Sequence, residues 1–535
     1  MCYDVAGLDW SQGRMIPAFQ TVEHLDVCDL RGATHAVQLA ATTCVGLLNR
    51  PQPRVYLIFS DDDEYWLKQL MPSLPQTLAS QTGNAALNML LDKYRVHIQG
   101  LIIYDPKLID TINVATILAG LRNGIVVSPE LAQDLQNQYS WPVLADLRVY
   151  RWRSPLQAYL WAQQNLLSDC SPRLIAGMRP EIAGGLRSFL VATRTFVYWL
   201  DTRRSVPAFS AGLLSEQALA EKIYRSFAPG AIHLGWFVDE PSGVAMTSRA
   251  AIAVLASDFF NNLEVWTALQ SPHSIRPVQE IAENDVKKAA DKVYVSFTMS
   301  DGDNLQYCQH RLLRLWRDSA RGSVPLGWTI SPVLLEAAPA MAQYYRDSAT
   351  PNDELIAGPS GAAYMFPSHW PTASLSRFLQ HTGKLMQSMG LTTLSALDTD
   401  FLYNTRFPLL SKVSFTGMSF THRSRQQDFA QALVPYGVRG ILSGAGFVLK
   451  TTAYWQMLDG GLPVYRNLGL VGSVERTVKL IKAAAANGKR PLFLNIYCLA
   501  WSMSPSNLMQ VKEQLDENYE VVLPRTLLAM LGKAT

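Results

Sequence analysis

Carboxylates and rings recur at the ends of apolar runs in this 535-residue chain. The densest group is Ser300-Asp301-Gly302-Asp303-Asn304, which follows the apolar run "KVYVSFTM". Two carboxylates, a hydroxyl and an amide so close together can supply a general acid or base, or oxygen ligands for a divalent cation. An Asx turn whose acids cap the next helix has the same composition. In "GWFVDEPSG", Asp239 and Glu240 precede Pro241, so the chain is extended or turning there rather than continuing a helix. Adjacent carboxylates repel, which raises the pKa of one of them and suits it to donating a proton. Glu240 is therefore the expected general acid and Asp301 the nucleophile or base, with Asp303 beside it. A surface acidic pair would read the same way.

The third group is "GPSGAAYMFPSHW", residues 358–370, which has neither a helical nor an alternating apolar period. Tyr364, Phe366 and Trp370 on such a turn-rich scaffold suit a flat, partly apolar ligand such as a sugar, and His369 adds a polar contact. Trp236, Asp239 and Asn304 are expected to join them in binding substrate. A platform requires Tyr364 to be partly exposed near Asp301; an aromatic plug at the end of a domain requires it to be buried.

Other chemistries find no motif. There is no G-x-S-x-G elbow, Walker loop, H-E-x-x-H or C-x-x-C, and the histidines are scattered. Carboxylates beside aromatic faces are the equipment of glycoside hydrolysis, with no resident cofactor beyond the cation that Asp301 and Asp303 could hold. Two further classes compete. "TMSDGDN" is similar to the first motif of polysaccharide deacetylases, whose metal also needs a close histidine pair; His369 or His422 would have to serve from separate loops. A non-catalytic glycan-binding protein would need the same rings and acids, the acids then accepting from sugar hydroxyls.

The elements that must position these residues follow a strand, loop, helix rhythm from about residue 230. Apolar strands are expected at "IHLGWF", "KVYVSFTMS", "PLGWTIS", "ELIAGPS", "TTLSALD", "SFTGMSF", "RGILSG", "PLFLNIY" and "YEVVLP". Asp239 and Glu240, the Asp301 cluster, Glu336, the 358–370 stretch, Asp398 and Asp400, His422 and Trp501 each come just after one of them. Strand ends converge on the C-terminal face of a barrel, where barrel active sites are built. Upstream, "RVYLIFS", "GLIIYD" and "GIVVS" read as strands of a small α/β assembly without a G-x-G-x-x-G. "SPLQAYLWAQQNLLSD" reads as a helix opened by a Ser-Pro cap, and "LRSFLVATRTFVYWLD" as another whose rings, Phe189, Phe196, Tyr198 and Trp199, pack. The expected fold is α/β: an N-terminal α/β region (1–145), a mainly helical connection (146–225) and a (β/α) barrel-like domain (226–535).

Bulk properties narrow the class. The length exceeds what one core fills. Lys and Arg total 47 against 44 Asp and Glu, a net charge of +3 with no basic stripe, so a nucleic-acid partner is not expected. The six cysteines are dispersed and form no disulfide framework. No run has the length of a membrane span or a signal peptide, so the chain as written is expected to be cytoplasmic. Its oligomeric state is not legible.

"GPSGAAYMFP" resembles the signature of the GxGYxYP putative glycoside hydrolases, with Gly361, Tyr364 and Pro367 matching, Ala363 at the second glycine and Phe366 at the second tyrosine. "LGWFVDEPSGVAMTSRAAIAVLASDFFNNL", "VYVSFTMSDGDNLQY", "GWTISPVLLEAAP" and, upstream, "LDVCDLRG", "LLNRPQPRVYLI" and "YDPKLIDTINVATILAGL" extend the resemblance over most of the chain. It implies a multidomain N-terminal region, a barrel-like C-terminal domain and a carbohydrate substrate. Phe366 would keep a stacking face while losing a hydroxyl, and Ala363 implies that no positive φ is needed there.

Overall fold

The computed structural model describes residues 5, 7–203, 215–269, 290–399, 418–444 and 454–534. Two compact units result, Met1–Pro272 with Glu336–Ala340, and His273–Leu335 with Met341–Thr535.

The first unit carries three small parallel sheets. Strands β1 (Leu25–Asp29), β2 (Val55–Ile58) and β3 (Gln76–Thr82) are ordered β2-β1-β3, and β4 (Gly100–Ile103), β5 (Gly124–Val127) and β6 (Val143–Asp146) are ordered β5-β4-β6. The third sheet, β7 (Leu174–Gly177), β8 (Phe196–Tyr198), β9 (Ile232–Gly235) and β10 (Ala253–Leu255), has the order β10-β9-β7-β8. Local chemistry sets the boundaries. The helix His35–Leu48, buried along most of its length, stops at Asn49, whose Oδ1 accepts from the N–H groups of Arg54 and Val55 at 2.8 and 2.9 Å. Helix Pro155–Asn165 begins with proline behind the Ser154 cap.

Two expectations change here. "LRSFLVATRTFVYWLD" is a short helix, Arg187–Ala192, followed by β8, because Thr193 and Arg194 (φ +53) turn the chain between them. Its rings do pack: Phe189, Phe196 and Tyr198 are buried. The strand in "IHLGWF" is β9, which pairs with β7 and β10 inside the first unit, so the barrel-like sheet starts after residue 226. One apolar parallel strand reads like another; register decided the partner.

The second unit is built on one large sheet. Its strands are β11 (Val293–Met299), β12 (Leu326–Ile330), β13 (Asp353–Ala357), β14 (Thr393–Ala396), β15 (Gly440–Ser443), β16 (Tyr454–Met457), β17 (Pro463–Arg466), β18 (Leu468–Val471), β19 (Leu492–Cys498) and β20 (Tyr519–Val521). The path runs β16-β17-β15-β14-β13-β12-β11-β19-β18, with β20 paired to β11. All its pairs are parallel except β16–β17. That hairpin turns at Asp459-Gly460-Gly461, both glycines having positive φ.

The sheet must curl. The last helix, Pro524–Ala534, packs Leu527, Leu528 and Leu531 in one buried cluster with Tyr294 of β11, Ile356 of β13, Leu442 of β15, Tyr465 of β17 and Phe493 of β19. In a flat sheet, β17 and β19 would lie six spacings of ~4.8 Å apart, roughly three times the width of one helix. Instead the Tyr465 hydroxyl donates to the Phe493 carbonyl at 2.8 Å. Only Asn467 separates β17, paired to β15, from β18, paired to β19, so a single bent segment joins the strand next to one end of the path to the strand at the other end.

Candidate active site

Side chains alternate across a strand, so Tyr294, Ser296 and Thr298 share one face of β11, in register with Phe493, Asn495 and Tyr497 of β19. Tyr294 and Phe493 face the last helix, and beyond them the same face turns polar. Asn495 Oδ1 accepts from Ser296 Oγ at 2.6 Å and Thr298 Oγ1 at 3.1 Å, and its Nδ2 donates to Asn467 Oδ1 at 2.7 Å, all buried. The concave face thus runs from an apolar, helix-filled end to a polar end at the strand C-termini.

The SDGDN turn stands at that polar end. β11 pairs with β19 along its whole length, but with β12 only through Thr298 and Met299, while β20 takes the opposite end of that edge. The three strands therefore converge where Ser300 begins the turn. Asp301, not Gly302, is the left-handed residue, with φ +73. Gly302 is required for space: a Cβ there would lie 2.0 Å from the Thr329 carbonyl carbon, and its N–H donates to Thr329 Oγ1 at 2.9 Å. Gly302→Ala is accordingly expected to lose about 1–3 kcal/mol by overpacking, measured by denaturant unfolding; unchanged stability would refute that contact.

Asp301 is partly exposed and tethered on both oxygens. Trp501 Nε1 donates to Oδ1 at 2.8 Å and the Ser300 hydroxyl donates to Oδ2. Burial among protein atoms pushes its pKa above the ordinary aspartate value, an effect those two donors partly offset. The Trp501 loop is fixed from both sides: the Ala500 N–H donates to Ser300 Oγ at 3.1 Å, and Arg311 Nε donates to the Ala500 carbonyl at 2.9 Å. Trp501 itself is 50% exposed, the largest open ring at these strand ends among the described residues. Tyr307 meets it edge-on at 5.9 Å, and the Tyr307 hydroxyl is buried without a hydrogen-bond partner among the described residues. Tyr307 begins a π-helical turn, Tyr307–Arg311, a distortion common at functional sites.

The other expected residues fall into different places. Asp303 is buried in the same turn, and Asn304 Oδ1 accepts from the Tyr307 N–H at 3.0 Å, a capping contact made by the amide where the Asx reading assigned capping to the acids. Tyr364, Phe366 and Trp370 are 1%, 0% and 2% exposed, so the 358–370 rings present no open stacking face, contrary to the platform expectation. They are packed inward because the loop is knitted to its neighbours. Ser360 Oγ donates to the Leu397 carbonyl at 2.9 Å, Ser331 Oγ to the Ala362 carbonyl at 2.9 Å, and Ser368 Oγ to Asp398 at 2.7 Å. His369 Nε2 meets Thr399 Oγ1 at 3.0 Å, and Trp370 packs on Phe378 at 4.9 Å.

Asp239, Glu240 and Trp236 lie in the first unit. Asp239 caps helix Glu240–Arg249, accepting from Ser242 N at 3.1 Å and Ser242 Oγ at 2.7 Å, and partly exposed Glu240 opens that helix. Trp236 is half-buried, its ring 5.9 Å from Phe237 and its backbone N–H donating to the Gly177 carbonyl at 2.8 Å. Glu336 groups with the first unit, His422 is exposed ahead of helix Arg423–Leu433, and Asp400 lies outside the described residues. Among the described residues no group of three or more His, Cys, Asp or Glu side chains is placed to hold a metal ion. Trp501 was legible only as a strand-end ring; its bond to Asp301 joins residues 200 positions apart.

Three family models match in chain order: the GxGYxYP_N second domain over residues 98–170, the GxGYxYP third domain over 172–268, and the GxGYxYP putative glycoside hydrolase C-terminal domain over 291–531. Together they cover well over half of the sequence. The chain belongs to the GxGYxYP putative glycoside hydrolase family. The GxGYxYP C-terminal model spans β11 through β20 and hence the Asp301 site, while the third-domain model spans Asp239 and Glu240. In the GxGYxYP signature loop, Gly361 has φ +136 and a Cβ there would meet Phe378 and Thr382 at 2.9 Å, whereas Ala363 takes no positive φ. A crystal structure of a putative hydrolase from Bacteroides thetaiotaomicron VPI-5482 shares the fold, with a TM-score of 0.78 at 22% identity, covering 98% of this chain and 99% of that one. No curated protein matches the sequence. No helix among the described residues is long and apolar enough to cross a membrane.

Proposed function

We propose that the second unit hydrolyses a glycosidic bond at the polar end of its curled sheet, with Asp301 as the proton donor. The observation that carries this is the pairing of a carboxyl held above its ordinary pKa with the half-exposed indole of Trp501. A glycosidase needs one carboxylic acid still protonated near neutrality to protonate the leaving oxygen. It also needs a flat apolar face to hold the sugar ring, a role that passes from the buried Tyr364 to Trp501. Asp301 thereby takes the acid's part in place of the nucleophile's, because burial, rather than a like-charged neighbour, perturbs it. Asp303 in the same turn is the second carboxylate, and Asn304 and Tyr307 complete the site. Family membership supports carbohydrate as the substrate class.

The test is a screen of plant, host and microbial polysaccharides for reducing ends, followed by two variants on the responsive substrate. Trp501→Ala is expected to raise KM by the loss of a stacking face, roughly 1–3 kcal/mol by analogy with base stacking, with little change in Tm. Trp501→Phe keeps a ring but removes the N–H that favours ionised Asp301. Its alkaline limb, where the acid loses its proton, should therefore move to higher pH. A limb that stays put or moves down, or acetate released in place of reducing ends, would overturn this reading.

A further inference from the structure

The first unit holds an aromatic cluster that the proposed reaction leaves unused. Tyr150 and Trp152 stack at 4.5 Å with their planes 8° apart, and Trp161 leans against both at 4.9 and 5.4 Å. The chain achieves this because Arg151 takes a left-handed conformation, φ +52, which folds its two ring neighbours onto each other. Arg151 is the left-handed cap that ends the 3₁₀ helix Leu147–Tyr150, its N–H donating to the Arg148 carbonyl at 3.3 Å, so the helix end sets this reversal. Eleven residues earlier the device occurs again: Ser140 has φ +56 and Tyr139 stacks on Trp141 at 4.5 Å. The later cluster lines an open cleft of about 490 Å³ with Arg151, Arg153, Gln157 and Gln164. Tyr150 is 42% exposed, both arginines are exposed, and neither guanidinium forms an ion pair among the described residues.

We propose that this cleft is a non-catalytic binding site for an acidic glycan, whose carboxylate or sulfate groups pair with Arg151 and Arg153 while a sugar ring lies against the Tyr150–Trp152–Trp161 cluster. Unpaired guanidiniums present planar forks that match carboxylate and sulfate oxygens. The rings supply an apolar face of fixed orientation, and the Gln157 and Gln164 amides can serve sugar hydroxyls. Carbohydrate as the ligand class rests on the function proposed for the second unit, but the site uses none of that unit's residues. Located on a different unit, it would hold a polymer to the protein independently of cleavage.

Native gels cast with polygalacturonate, alginate or chondroitin sulfate, and with neutral xylan as the comparison, test this on the full chain. At least one acidic polymer should retard the wild type, and retardation should fall at least tenfold in both Trp152→Ala and the Arg151→Gln/Arg153→Gln pair. Trp152→Ala retains every charge, so retardation that survives it is ion exchange alone and overturns the proposal. Retardation by xylan alone, or by none of the four, overturns it as well. A Trp152→Ala variant that changes oligomeric state by light scattering would assign the cluster to contact between copies instead. Hydrolysis persisting without retardation would leave the proposed catalytic function standing, and retardation without any hydrolysis would leave only this site.

Discussion

Asp301→Asn is expected to lose activity by about 10²–10⁴-fold while melting at a higher temperature than the wild type at neutral pH. The two changes have one cause. The surrounding protein disfavours the ionised carboxylate, so the folded state holds the proton more tightly than the unfolded chain does. Stability therefore falls as pH rises from the unfolded value near 3.8 through the raised folded value, and the penalty is fully present above it. Each tenfold difference in proton affinity is worth about 1.4 kcal/mol. Asparagine cannot ionise, tolerates the left-handed backbone at this position and can still accept from Trp501. Thermal melts at pH 4 and pH 8 separate the contributions: the gain should be large at pH 8 and small at pH 4. A gain equal at both values would assign it to the backbone alone, and a loss at pH 8 would show Asp301 to be a structural anion.

Tyr364→Ala is expected to destabilise the second unit by about 3–5 kcal/mol, the range for a large aromatic truncated in a core. Tyr364 is buried, meets Phe366 edge-on at 5.6 Å and belongs to a loop bound to the ends of β12 and β14 through Ser331, Ser360 and Ser368. Removing the ring opens a cavity that this hydrogen-bonded loop cannot close by relaxing. Chemical unfolding monitored by tryptophan fluorescence measures the loss. A variant of near wild-type stability that fails to bind glycan would restore the stacking role and refute the plug.

The sequence by itself determined the local elements and the residues able to do chemistry. Apolar runs bounded by turn residues marked the parallel strands β11, β12, β13 and β19, and the cluster Ser300–Asn304 was legible at the end of the first. The family was legible as well, since its motifs are linear. Three matters were decided by tertiary structure alone. Sheet membership was one: β9 reads as another apolar strand, and only its register with β7 and β10 places Asp239 and Glu240 in the first unit. Ring exposure was the second. Tyr364 and Trp501 both follow strands, but hydrogen bonds turn the 358–370 loop inward while Ser300 and Arg311 hold the Trp501 loop at the surface. The third was protonation. A neighbouring charge is visible in sequence and pointed to Glu240; burial is not, because it sums over atoms from strands hundreds of residues apart, and that is what raises the pKa of Asp301.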